Sequence, residues 1–184
     1  MPNVFEQNAI YLQSGDPEKE NTPTLYAPGL LGSRFTVINP TGKQAGATPG
    51  TAKRYQLVRT DSTMTVGPYP GATAYWADKT TYLVTTVNTN LNVPAGIFNC
   101  LVDKGNYCCV QFDGRGYMKL VDADATAAAI GDSIIGSAAT AGKGARVASG
   151  TAPTNVPFGQ VSSPLAKLAS EARVLVDLDV PETP

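Results

Sequence analysis

Tyr107-Cys108-Cys109-Val110-Gln111-Phe112, Asp113-Gly114-Arg115-Gly116 and Tyr117-Met118-Lys119-Leu120-Val121 run consecutively, two apolar segments around an Asp-Gly step. Both segments are rich in residues that suit a pleated, half-buried surface. Asp-Gly supplies the positive φ of a tight turn, so the stretch predicts a β-hairpin. Working outward, short alternating runs bounded by turn residues recur at Phe35–Asn39, Tyr55–Arg59, Tyr82–Val87 and Ser133–Ile135. The C-terminal run Val174–Val180 puts Val174, Val176, Leu178 and Val180 on one face and Leu175, Asp177 and Asp179 on the other, which predicts a half-buried strand.

Helical signal is sparse. Leu165, Leu168, Ala169 and Ala172 have helical spacing after Ser163-Pro164, enough for a turn or two. The chain has 184 residues, of which 18 are Gly and 14 Pro, too many for a long helical bundle. The fold class is therefore mainly β: a small β-barrel or sandwich with short helical turns, spanning residues 34–184.

Residues 1–33 read differently. Four prolines and four acids stand against one lysine, with neither a helical nor an alternating period. Large apolar side chains are scattered through the segment, so it predicts an extended N-terminal arm laid along its own domain or along a partner. Fourteen basic and fifteen acidic side chains sum to −1, yet the charge is uneven. Arg34, Lys43, Lys53, Arg54 and Arg59 fall in 34–60 without an acid, whereas the two ends are acidic. With a pI of about 5.4, that basic strip suits an acidic protein surface or the chain's own arm better than nucleic acid.

No histidine occurs, which removes the commonest general base and metal ligand. Asp122-x-Asp124-x-Thr126 starts like a calcium loop but has Ala127 at the turn glycine and Ser133 at the bidentate position, so it reads as a turn. Gly136 to Gly142-Lys143 misses the phosphate-loop spacing. Asp177 and Asp179 could bring two carboxylates together, but acids on a solvent-facing strand serve solubility and edge protection. Cys100, Cys108 and Cys109 are an odd set without a CxxC, and neighbours on a strand point to opposite faces. They read as small buried hydrophobes, in a chain that is not an enzyme and carries no metal or cofactor. Neither a secretory signal nor an apolar run of membrane-spanning length is expected from the sequence.

Gly105-Asn106-Tyr107-Cys108-Cys109-Val110-Gln111, Gly116-Tyr117-Met118-Lys119-Leu120-Val121-Asp122 and Ala128-Ala129-Ile130-Gly131-Asp132-Ser133-Ile134-Ile135 follow in order. A small-residue loop to Gly144, Phe158-Gly159-Gln160-Val161 and Ala172-Arg173-Val174-Leu175-Val176-Asp177-Leu178 complete the series. This order resembles the β-barrel domain of tailed-bacteriophage head decoration, or cement, proteins, over about residues 96–180. In that family a Gly-Asp step before a strand and a final Val/Leu-rich strand recur. Lys53–Val58 through Lys79–Tyr82 is more loosely similar to phage structural proteins.

The resemblance implies a virion protein, made in the host cytoplasm, that binds the capsid exterior between capsomers of the major capsid protein and staples them. It often does so as a homo-oligomeric trimer, without nucleic acid or membrane. Phe5, Tyr11, Tyr26, Leu30, Arg34 and Arg54 are the expected capsid contacts. The competing expectation is a carbohydrate- or host-binding module using Tyr69, Tyr75, Trp76 and Tyr82 as an aromatic platform, unless those rings pack the domain's own loop. A carboxylate hydrolase using Asp177 is a third.

Overall fold

In a computed structural model, the structure describes residues 17–23, 30–39, 51–87, 93–163 and 172–181. Ten strands and one short helix are found there: β1 Arg34–Asn39, β2 Thr51–Thr60, β3 Thr73–Asp78, β4 Leu83–Thr85, β5 Pro94–Phe98, β6 Tyr107–Lys119, α1 Asp122–Ala127, β7 Ser133–Gly136, β8 Gly144–Val147, β9 Gly159–Ser163 and β10 Arg173–Asp179. The protein is mainly β, as the alternating runs predict. The helix expected at 165–172 lies almost wholly outside the described residues.

Five strands close on themselves in the order β2–β4–β3–β5–β6–β2, a small barrel. Its one parallel contact pairs Arg59 with Leu83, and the other four are antiparallel. Every strand sends apolar side chains inward: Val58, Trp76, Val84, Phe98 and Val110 are all buried in one cluster. Closure leaves these strands without an open edge, which is how small β proteins avoid sheet-to-sheet aggregation.

The predicted hairpin is not formed. Tyr107 to Lys119 is one thirteen-residue strand, whose first half pairs with β2 and whose second half pairs with β10. Gly114 has the positive φ that the Asp-Gly step announced, at +82°, but uses it to bend a strand rather than to reverse it. Opposite this bend, Arg54 pairs with Asp113 and Tyr55 with Gln111, so Phe112 is an extra residue bulged out of the ladder. A Cβ on Gly114 would stand 2.3 Å from the Ala52 carbonyl oxygen, so the close approach of β2 also requires glycine there.

Beyond the bend a second sheet runs β6–β10–β9–β7–β8. A parallel bridge between Leu120 and Gly144 curls it towards closure. Its inner face holds Met118, Leu120, Ile134, Phe158, Val161, Val174, Val176 and Leu178, joined by Tyr75, Ile97 and Phe112 from the barrel strands. Tyr75 meets Phe158 edge-on, with centroids 5.6 Å apart. The two halves thus share both a strand and a core.

Three smaller expectations are corrected. The strand predicted from Tyr82 begins at Leu83, because Tyr82 takes a left-handed φ of +53° in a turn. Asp122 to Ala127 is a short helix rather than a turn, and Asp122 reaches Lys143 rather than Asp124's side. β10 is flanked by β6 and β9, so Asp177 and Asp179 do not guard a sheet edge.

Candidate functional site

The contact residues expected from the sequence separate into three groups. Phe5, Tyr11 and Tyr26 lie outside the described residues. Leu30 is half-buried and packs with Phe35 and Val37 over Tyr55, Leu57 and Cys109, so its apolar surface is largely committed to its own domain. Arg34 and Arg54 are brought together on one face.

That meeting follows from register. Arg34 lies opposite Gln56 and Thr36 opposite Arg54, so both arginines project from the same side of the β1–β2 ribbon. Both guanidinium groups lie over the Phe112 ring, at 5.6 Å and 5.0 Å from its centroid. Each such stacking contributes about 0.5–1 kcal/mol at an exposed site and, more usefully, fixes where a long side chain points. Arg54 also pairs with Asp113 at 3.6 Å, both side chains being about two-fifths exposed, a setting in which an ion pair contributes little. Phe112 itself is almost buried, because its bulged position turns the ring into the second core. Alongside, β1 ends the sheet with Arg34, Thr36 and the exposed Ile38 facing outward. The result is a preorganised cationic face at a sheet edge.

Part of the arm is pinned next to it. Thr22 exchanges backbone hydrogen bonds with Tyr107, and Asn21 bonds Asp103 and Asn106. The Glu18 carboxylate accepts from Lys53 Nζ at 2.7 Å and from the Tyr55 hydroxyl at 2.6 Å. So Lys53 of the basic strip is taken by an acid of the chain's own arm. Glu20 is buried near Cys100 and Cys108; burial above all, with Cys100 and Glu20 adding, pushes the Cys108 thiol far up. It therefore stays protonated and is no nucleophile. Cys108 faces the barrel interior and Cys109 the β1 side, as strand alternation requires.

The aromatic platform does not exist as a surface. Tyr75 and Trp76 are buried in different cores, and Tyr82 is covered by Gly32 and abuts Trp76. Tyr69 donates to the Gly142 carbonyl and carries Lys119 on its ring. These rings pack the domain's own loops. Asp177 is ion-paired with Arg115 at 2.9 Å rather than facing a second carboxylate. Among the described residues no three His, Cys, Asp or Glu side chains are grouped to hold a metal, and no helix is long and apolar enough to cross a membrane.

Sequence reasoning missed Phe112 and Glu18. Phe112 was legible only as the last residue of an apolar run; its role depends on a bulge. No family model, no curated protein and no solved structure matches this chain.

Proposed function

We propose that the protein is a head decoration protein of a tailed bacteriophage, which binds the outer capsid surface through the face carrying Arg34 and Arg54 and staples neighbouring capsomers. The observation that carries this reading is the arginine pair held over Phe112 beside the outward edge of β1. Two guanidinium groups fixed by stacking lose little side-chain freedom on docking and fit carboxylates on a protein surface. The order of segments that resembles such proteins supplies the identity of the surface, and Arg, unlike Lys, is favoured at the centre of protein interfaces. The pinned segment 17–23 supports an arm that leaves the domain at a defined place, so that weak contacts by each of many copies act together. The major capsid protein is the partner, and the protein acts without catalysis.

The test is add-back of purified protein to undecorated heads, with bound copies counted by quantitative mass analysis. Binding in numbers comparable to the capsomers is expected, and Arg34→Ala/Arg54→Ala should weaken it at least tenfold while costing only about 1–2 kcal/mol of stability, so that the domain stays folded. A copy number of only a few per particle sinks the reading. Truncation to test the arm must stop before Pro17, since removal through Leu31 would strip the buried Glu20 and the Thr22–Tyr107 pairing.

A further inference from the structure

On the second sheet, four polar side chains stand in one line across four neighbouring strands. Arg115 on β6 pairs in register with Asp177 on β10, Asp177 with Gln160 on β9, and Gln160 with Ser133 on β7. Directly paired residues of antiparallel strands share a face, so all four project to the outer side of the sheet, away from Val176, Val161 and Ile134. With strands about 4.8 Å apart, the row is about 14 Å long. It floors an open cleft of about 640 Å³, walled by Ile130 and Pro157. Ile130 is 71% exposed, an apolar side chain left uncovered at the cleft's edge.

We propose that this cleft is a binding site for a neutral, extended oligosaccharide laid across the strands. Three features select that ligand class. First, the floor is the face of interior strands: β10, β9 and β7 are each paired on both sides, so their backbone groups are engaged in the ladders. A peptide that binds by adding a strand finds no free edge here, and recognition rests on side chains alone. Second, the row sets planar donors and acceptors side by side: a guanidinium that donates, a carboxylate that accepts and a carboxamide that does both, followed by a hydroxyl. Such groups spaced about one strand apart match the repeated hydroxyl pairs along a sugar chain. Third, the row's one cation is already matched by Asp177, and Asp179 beside it leaves the cleft weakly acidic. Phosphate-rich or uronate ligands are disfavoured by that charge. Ile130 and Pro157 supply the apolar patch that the faces of a sugar ring require.

The reading does not rest on capsid binding, because the row lies on other strands from Arg34. The test is an NMR titration of the full ¹⁵N-labelled chain with maltohexaose, cellohexaose and chitohexaose, beside an uncharged octapeptide. At least one hexasaccharide is expected to shift amides at Arg115, Ser133, Gln160 and Asp177. Gln160→Ala, an exposed change that leaves the fold intact, should weaken that binding tenfold or more. The proposal is overturned by no shift with any of the three sugars, by shifts confined to another surface, by unchanged affinity in Gln160→Ala, or by the peptide occupying the row instead.

Discussion

The two halves of β6 carry the same strand through two different surroundings. From Cys108 to Phe112 every residue is buried, because one face lines the closed barrel and the other lies under β1 or the second core. From Gly114 to Lys119 burial alternates, with Gly116 and Met118 inward and Arg115, Tyr117 and Lys119 outward. The first half is a wall between two layers, and the second is half of a one-sided sheet. A strand covered twice has only packing to do, whereas a strand covered once keeps a face for ligands. The surfaces assigned above follow this division: the arginine pair at the bend between the halves, and the polar row entirely on the one-sided sheet.

The shared core makes the two halves one cooperative unit. Phe158 is fully buried in the second core yet touches Tyr75 of the barrel. Phe158→Ala should cost about 4 kcal/mol in one cooperative urea transition of unchanged slope. A biphasic curve would mean that the halves unfold independently. At the hinge itself, Gly114→Ala forces a side chain into a left-handed φ and against the Ala52 carbonyl, at about 3 kcal/mol. A neutral result in the same denaturation assay would show that the bend is not fixed by glycine.

Acids anchor both halves, and they should differ in strength. In the second sheet the buried Asp132 accepts from Arg146 Nε and from the backbone of Ala129 and Ser149. The Arg146 hydrogen bond is the main cause that holds its carboxyl below the ordinary value near 3.8. A depressed folded value stabilises the protein above the unfolded value, and that stability is lost as pH falls through the folded one. Asp132→Asn should therefore cost about 2 kcal/mol at pH 7, with the gap to the parent protein closing as thermal scans move below about pH 3.8. On the barrel side, Glu18→Gln weakens one partly buried ion pair and its tyrosine hydrogen bond. About 1 kcal/mol is expected from melting curves, and increased proteolysis of the arm near Pro17 should accompany it. An effect exceeding that of Asp132→Asn would reverse the ranking of the two anchors.

Much of the fold was legible in particular residues. The alternation of Val174, Val176 and Leu178 against Asp177 and Asp179 specified β10 and its inward face, and Cys108-Cys109 specified two opposite burials. The Asp-Gly step was read correctly as a positive φ and wrongly as a turn. A hairpin turn and a strand bulge make the same local demand, and what separates them is whether the following segment meets its predecessor or a distant strand. The candidate site was legible in part: Arg34 and Arg54 stood out in a stretch of sequence that holds no acid, but nothing local linked them to Phe112. The aromatic cluster around Tyr69 to Tyr82 misled because a ring's chemistry is the same in a core as on a platform.

By itself the sequence determined the class of structure, since side-chain alternation and glycine placement are local properties set by sterics and by the two-residue period of a strand. It also determined which chemistry the chain lacks residues for, beginning with imidazole. Only the tertiary structure decided that β6 serves two sheets, that Glu18 takes Lys53 while Arg34 and Arg54 share a ring, and that Arg115, Asp177, Gln160 and Ser133 form a line. Those outcomes depend on register between strands up to about sixty residues apart, where loop closure and the fit of whole faces, rather than any local preference, select the pairing.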